Sequence, residues 1–363
     1  MVTVMSSPTT RRLAPIALVT LAATLLSACG GDSTAVDAAV DTAEQTAPGE
    51  SSAGTSEAFP VTVEHALGET TIESMPQRVV TVGVTEQDTV LALGVVPVGV
   101  TEWYGDWPSA TWPWAQDELG GATLEVLSES DGFQYEAITA LDPDLIVGTS
   151  AGIDAESYEL LSAIAPTIAH PKDAPAYFSP WDDQARLIAS ALGATDEMDE
   201  IIADIDARFA EARAAHPEFE GVSAVFLQNA FYDGSAVAYQ EGLSTKFLTD
   251  LGFSIPAVLD DFATDGQAYI PVEQLSVLDE AEVLLWGTES PDDRTKLESE
   301  TLYNTLQAVR DGKLVFTDGV TAGAIYFTSP LSLPFVLDQI VPAFASTLAG
   351  DGPATIDTGV ADR

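Results

Sequence analysis

Residues 195–215 read Thr-Asp-Glu-Met-Asp-Glu-Ile-Ile-Ala-Asp-Ile-Asp-Ala-Arg-Phe-Ala-Glu-Ala-Arg-Ala-Ala, and they differ from everything around them. The stretch holds no Gly and no Pro and is rich in charge. Its apolar residues fall at Met198, Ile201, Ile202, Ile205 and Phe209, the three-to-four spacing of one helix face. Pro217 ends it. The expectation is a single long amphipathic helix.

Outward from this helix, strands alternate with helices on both sides. On the N-terminal side, strands are predicted at Arg78–Val84, Val95–Val100, Asp144–Thr149 and Thr167–His170. Helices are predicted at Glu86–Leu93, Asp154–Ala165 and from Ser179-Pro180 to Leu192, stopped by Gly193. On the C-terminal side, strands are predicted at Ser223–Gln228, Glu282–Gly287 and Lys313–Thr317. Helices there fall at Ser244–Leu251, Pro271–Leu278, Leu302–Val309 and Leu331–Leu348. Such alternation specifies α/β lobes with mainly parallel sheets. The fold class is therefore two Rossmann-like α/β lobes joined by one long helix. The boundaries are residues 58–194 for the first lobe, 195–217 for the connecting helix, 218–349 for the second lobe and 350–363 for a tail. The lobes also echo each other. Glu136, Ile138, Leu141 and Asp142 precede one strand, and Glu273, Leu275, Leu278 and Asp279 precede another at the same spacing.

The N-terminus speaks to compartment. Arg11 and Arg12 precede an uncharged apolar run, Leu13–Ala28, too short to span a bilayer comfortably. The charged start, short core and small residues fit a bacterial signal peptide over residues 1–28. The run ends Leu26-Ser27-Ala28-Cys29, which resembles a lipobox, and Cys29 is the only Cys in the chain. The expected product is an extracytoplasmic protein anchored to the cell membrane by lipidated Cys29; an ordinary secretory signal with an incidental Cys is the alternative. Residues 29–57 are Gly, Ser, Thr, Ala and acids with few large apolar groups, the composition of a flexible tether.

The formal net charge is −44, from 57 acidic and 13 basic residues. Such a surface repels phosphate backbones and anionic lipid, which excludes nucleic acid and basic-patch membrane docking as partners.

The residues that carry a family resemblance are Pro76–Val80, Ala92-Leu-Gly94 with Pro97–Val100, Ala140–Val147, Leu161–Pro166 and Ser329–Pro334. In this order they resemble the helical-backbone (class III) periplasmic binding proteins, and most of all the iron-siderophore binding lipoproteins of Gram-positive bacteria. The likeness runs from about Phe59 to Leu348. It implies a ligand cleft between the two lobes, and a monomeric substrate-binding component of an ABC importer, with a permease and an ATPase as partners and a role in iron uptake. It also implies one exposed Glu per lobe docking onto Arg of the permease, and Glu136 and Glu273 match those positions. A simpler role for each is to favour its helix N-terminus.

Ligands of α/β sheets sit beyond the carboxyl ends of strands. The side chains expected there are Trp103, Tyr104, Trp112, Trp114, Ser150, Trp181, Tyr232, Tyr239 and Tyr326, mostly rigid aromatics suited to a bulky ligand, although many such rings simply pack a lobe edge. Arg294 is the candidate cation, because it follows Trp286-Gly287-Thr288, while Arg186 reads as a structural ion-pair partner. Few basic residues favour a neutral or cationic ferric hydroxamate over an anionic catecholate complex. The ligand is then an Fe(III)-siderophore complex, with haem or cobalamin as the alternative, and no cofactor or bound metal is expected from three scattered His. A different class enters through Gly148-Thr-Ser150-Ala-Gly152, which fits a nucleophile elbow and would make a secreted serine hydrolase. Neither His170 nor His216 stands where that layout needs it, so no enzyme is expected.

Overall fold

The computed structural model describes residues 58–360 apart from 103, 129–131 and 265. The expected signal peptide, Cys29 and the tether lie outside the described residues. A hairpin opens the described chain: β1 (Val61–His65) and β2 (Gly68–Ile72) pair antiparallel, burying Val63 and Ile72 against the first lobe.

The first lobe runs through β3 (Val79–Thr81), α1 (Glu86–Ala92), β4 (Gly99–Glu102), β5 (Glu125–Ser128), α2 (Tyr135–Ala140), β6 (Leu145–Val147), α3 (Ala155–Ser162), β7 (Thr167–Ile168) and α4 (Trp181–Leu192). Its five strands lie in the order β5-β4-β3-β6-β7, all parallel. The central strands β3 and β6 are buried at every residue, which is why they read as unbroken apolar runs. Local signals set the helix ends: the Asp154 carboxylate accepts from the Ser157 N–H at the start of α3, and Gly193 takes the left-handed conformation, φ +67, that stops α4.

The connecting helix α5 spans Thr195–Ala215. Met198 and Ile202 pack into the first lobe's core, whereas Ile205 and Phe209 pack into the second lobe's. Ile201 touches both cores. One apolar stripe thus anchors two hydrophobic cores.

The second lobe contains β8 (Ala224–Tyr232), β9 (Ser235–Tyr239), α6 (Lys246–Asp250), β10 (Ala263–Thr264), β11 (Gln267–Pro271), β12 (Val283–Gly287), α7 (Pro291–Ser299), α8 (Gln307–Asp311), β13 (Leu314–Phe316), α9 (Gly319–Tyr326), α10 (Ser332–Ala349) and β14 (Ala354–Thr355). The strand order is β10-β11-β9-β8-β12-β13-β14. Strands β8, β12, β13 and β14 are parallel, and β9, β11 and β10 extend the sheet antiparallel.

Several elements depart from the sequence reading. The strand expected at Val95–Val100 is displaced to β4, since Pro97 has no N–H to give the ladder. The strand expected to end at Gln228 continues to Tyr232 and turns through Asp233-Gly234 into β9. The segment Val272–Glu280 is a 3₁₀ helix rather than an α-helix, and Leu302–Val309 splits into a 3₁₀ turn and α8. Residues 350–363, expected as a tail, contain β14, which pairs with β13 at the sheet edge.

Candidate functional site

The carboxyl ends of β4, β6, β7, β9 and β12 open onto one cleft between the lobes. It has two connected chambers of about 770 and about 380 Å³, which share Phe178, Leu243, Ser244, Tyr326 and Phe327 as walls. The sum is the size of a site for a bulky small molecule. Phe178 (61% exposed) from the first lobe and Leu243 (49%) from the second stand at the junction, and the ring of Phe178 lies 6.1 Å from that of Phe327.

The larger chamber is walled by Tyr104 from the loop after β4 and by Gln228, Tyr239, Gln267, Glu289 and Tyr326 from the second lobe. The Tyr104 hydroxyl donates to Glu289 Oε2 at 2.5 Å, a bond that crosses the cleft from lobe to lobe. Asn229 Nδ2 approaches the other carboxylate oxygen at 3.4 Å. Tyr239 and Gln267 both donate to Gln228 Oε1, at 3.0 and 3.2 Å. Tyr326 donates to the Gly287 carbonyl at 2.9 Å. A Cβ at Gly287 would stand 2.7 Å from that phenol oxygen, so the close approach needs glycine there. Burial raises the Tyr239 phenol to about 12, and burial followed by the charge of Glu289 raises Tyr326 well above the usual range. These phenols stay neutral and serve as hydrogen-bonding and stacking groups.

The smaller chamber lies against α4 and α5. Trp181, at the first position of α4, packs on the cores of both lobes and forms part of its wall. Ser150 lines it from the loop after β6, with its N–H donating to the buried Glu86 carboxylate at 2.7 Å. Asp182 is paired with Arg186, which also binds Asp199 of α5, the structural role expected of that arginine. Lys246 is held by Asp250 at 2.7 Å. No histidine is among this chamber's described walls.

The structure therefore brings Tyr104, Ser150, Trp181, Tyr239 and Tyr326 to one cleft. It places other expected residues elsewhere. Trp112 is 3% exposed, stacked on Trp114 at 4.8 Å and seated against Gly323 of α9, where an added Cβ would meet its ring at 2.4 Å. Trp114 packs on Phe335 of α10 and donates its indole N–H to Asp88 at 2.7 Å. Tyr232 is 71% exposed beside the β8–β9 turn. Arg294 rides on α7, because Ser290 and Pro291 open a helix with Asp293 as its box partner. From there it pairs with Glu298, donates to Thr355 and covers the Phe316 ring, away from the cleft. Trp103 lies outside the described residues. Sequence reasoning missed Gln228, Gln267 and Glu289. Glu289 was within reach, two residues beyond the end of β12.

Residues 79–321 match the family model described as periplasmic binding protein. The chain belongs to the periplasmic binding protein family. It is thus a solute-binding protein, and its lobes and cleft are those of the family. Its relatives include a Bacillus subtilis (strain 168) protein named "Probable siderophore-binding lipoprotein YfiY", 29% identical over 312 residues and covering 79% of this chain and 88% of the relative. A periplasmic solute binding protein from Mycobacterium smegmatis superposes with a TM-score of 0.75 at 45% identity, covering 79% of this chain and 98% of that one. PiaA of Streptococcus pneumoniae TIGR4, solved in complex with ferrichrome, superposes with a TM-score of 0.66 at 26% identity, covering 80% and 99%.

Proposed function

We propose that this protein binds a ferric siderophore, most readily a hydroxamate complex, in the cleft between its lobes and delivers it to an ABC importer. The observation that carries the reading is the two-chambered cleft itself. Aromatic walls from both lobes surround a space large enough for a chelated metal, and relatives of this chain are named for siderophore binding. Among the described residues no group of three or more His, Cys, Asp or Glu gathers to hold a metal ion. On this reading iron arrives as ligand already wrapped in its chelator, and the protein acts by binding alone, as a monomer. Tyr104, Ser150, Trp181, Tyr239 and Tyr326 are the contacts proposed, with Phe178 and Phe327 at the junction of the chambers.

Lipidated Cys29 holds the protein outside the membrane, and Glu136 and Glu273 meet the permease. Both glutamates are exposed in the first turn of their helices, one in each lobe, which supports the docking role. Two fixed charges on one rigid body would set orientation as well as attraction. The reading is tested by titrating the protein with ferric siderophores, haem and cobalamin while following tryptophan fluorescence. Saturable quenching by one ferric hydroxamate is expected; saturation by haem or cobalamin alone would overturn the ligand class. Charge reversal at Glu136 and Glu273 together should abolish uptake in cells and leave ligand affinity within about twofold, since both lie outside the cleft.

A further inference from the structure

The charges of the larger chamber are one-sided. Among its described walls there is no Lys, Arg or His, but there are two carboxylates, Glu241 and Glu289. Glu241 is exposed at the rim. Glu289 is half-buried, with Tyr104, Tyr239 and Tyr326 lining the same chamber. Its field reaches them, since its charge helps push both Tyr239 and Tyr326 upward. Among the smaller chamber's described walls the cation is Lys246, paired with Asp250. An anionic ligand filling this space would displace water from a carboxylate and bring no compensating charge. A ligand with a protonated amine would suit this negative chamber, meeting carboxylate oxygen and phenol faces for cation–π contact.

Resting on the siderophore reading, we propose that Glu289 is a specificity-determining residue that selects ferric complexes bearing a protonated amine, discriminating against neutral and anionic ones. The bond from Tyr104 holds the carboxylate in place from the opposite lobe, so the charge is positioned before the ligand arrives. A purely structural role for Glu289, as a strap for Tyr104, needs only an acceptor oxygen, which Gln would also provide.

The experiment compares ferrioxamine B, a trihydroxamate complex with one free amine, with its N-acetylated form, which has the same shape and no charge. The wild-type protein is expected to bind the amine form about tenfold more tightly. Glu289→Gln is expected to erase that preference, the amine form losing about tenfold relative to the acetylated form. Equal affinity for the two forms in the wild type, or a preference that survives Glu289→Gln, would overturn the proposal while leaving siderophore binding intact. So would a trianionic ferric tris-catecholate bound as tightly as ferrioxamine B. Failure of every ferric siderophore to bind would instead remove the functional reading on which the proposal stands. The wild-type comparison needs no variant, so a misfolded Glu289→Gln would not shield the proposal.

Discussion

Asp88 shows how much a single residue can carry in this molecule. It sits on α1 of the first lobe, 4% exposed, and accepts from Ser329 Oγ at 2.6 Å just before α10 of the second lobe and from Trp114 at 2.7 Å. Burial raises its carboxyl to about 6, against an ordinary value near 3.8. The folded state therefore binds this proton more tightly than the unfolded chain. The stabilisation is complete below about pH 4 and is lost as pH rises through 6, on the order of 3 kcal/mol in all. Asp88→Asn, which cannot ionise, should gain stability relative to the wild type between pH 5 and pH 8, measured by urea unfolding at each pH. Parallel stabilities across that range would refute the assignment. At this scale the sequence was least legible. It offered a run of tryptophans near Tyr104, and nothing in composition or spacing told which ring would face ligand and which would fill a core. Trp112 and Trp114 went to the core because Gly323 and Phe335 receive them from helices more than 200 residues away. Arg294, expected near the cleft because it follows Trp286-Gly287-Thr288, is carried away onto Phe316 by the helix that Ser290-Pro291 open.

Among elements, α5 was the most legible and the structure gives it the same ends, Thr195 and Ala215. A helix without Gly or Pro and with one apolar stripe leaves little else for the chain to do. Its division of labour was not legible, since the stripe is continuous and the switch from one core to the other falls between Ile202 and Ile205. Phe209→Ala should cost about 3–5 kcal/mol in chemical unfolding, because it leaves a cavity in the second lobe's core. A loss below about 1 kcal/mol would mean that α5 is only a tether there. The antiparallel hairpin β8–β9 was missed although Asp233-Gly234 is a strong turn signal, since the parallel pattern of the lobe invited a strand and then a helix. Helix α9 was missed for a different reason: it is buried nearly all round, so no amphipathic period marks it.

Taken as a whole molecule, the lobes are joined at several separate places. The helix α5 feeds both cores, Trp181 touches both, Asp88 reaches Ser329, and Tyr104 reaches Glu289 across the cleft. Large closure would break several of these at once. Ligand binding should accordingly change the radius of gyration in solution scattering by no more than about 1 Å, with several ångströms contradicting it. The architecture at this scale followed from the alternation of strands and helices around one long helix, and the family model over residues 79–321 agrees with it. The choice of ligand depends on walls contributed by distant loops, which no local pattern encodes. The most direct test of the central claim is a calorimetric titration of the protein, beginning after Cys29, with ferrioxamine B. Saturable one-to-one binding with a submicromolar Kd, weakened by acetylating the amine, is the expected result. No heat with this or any other ferric siderophore would contradict the account.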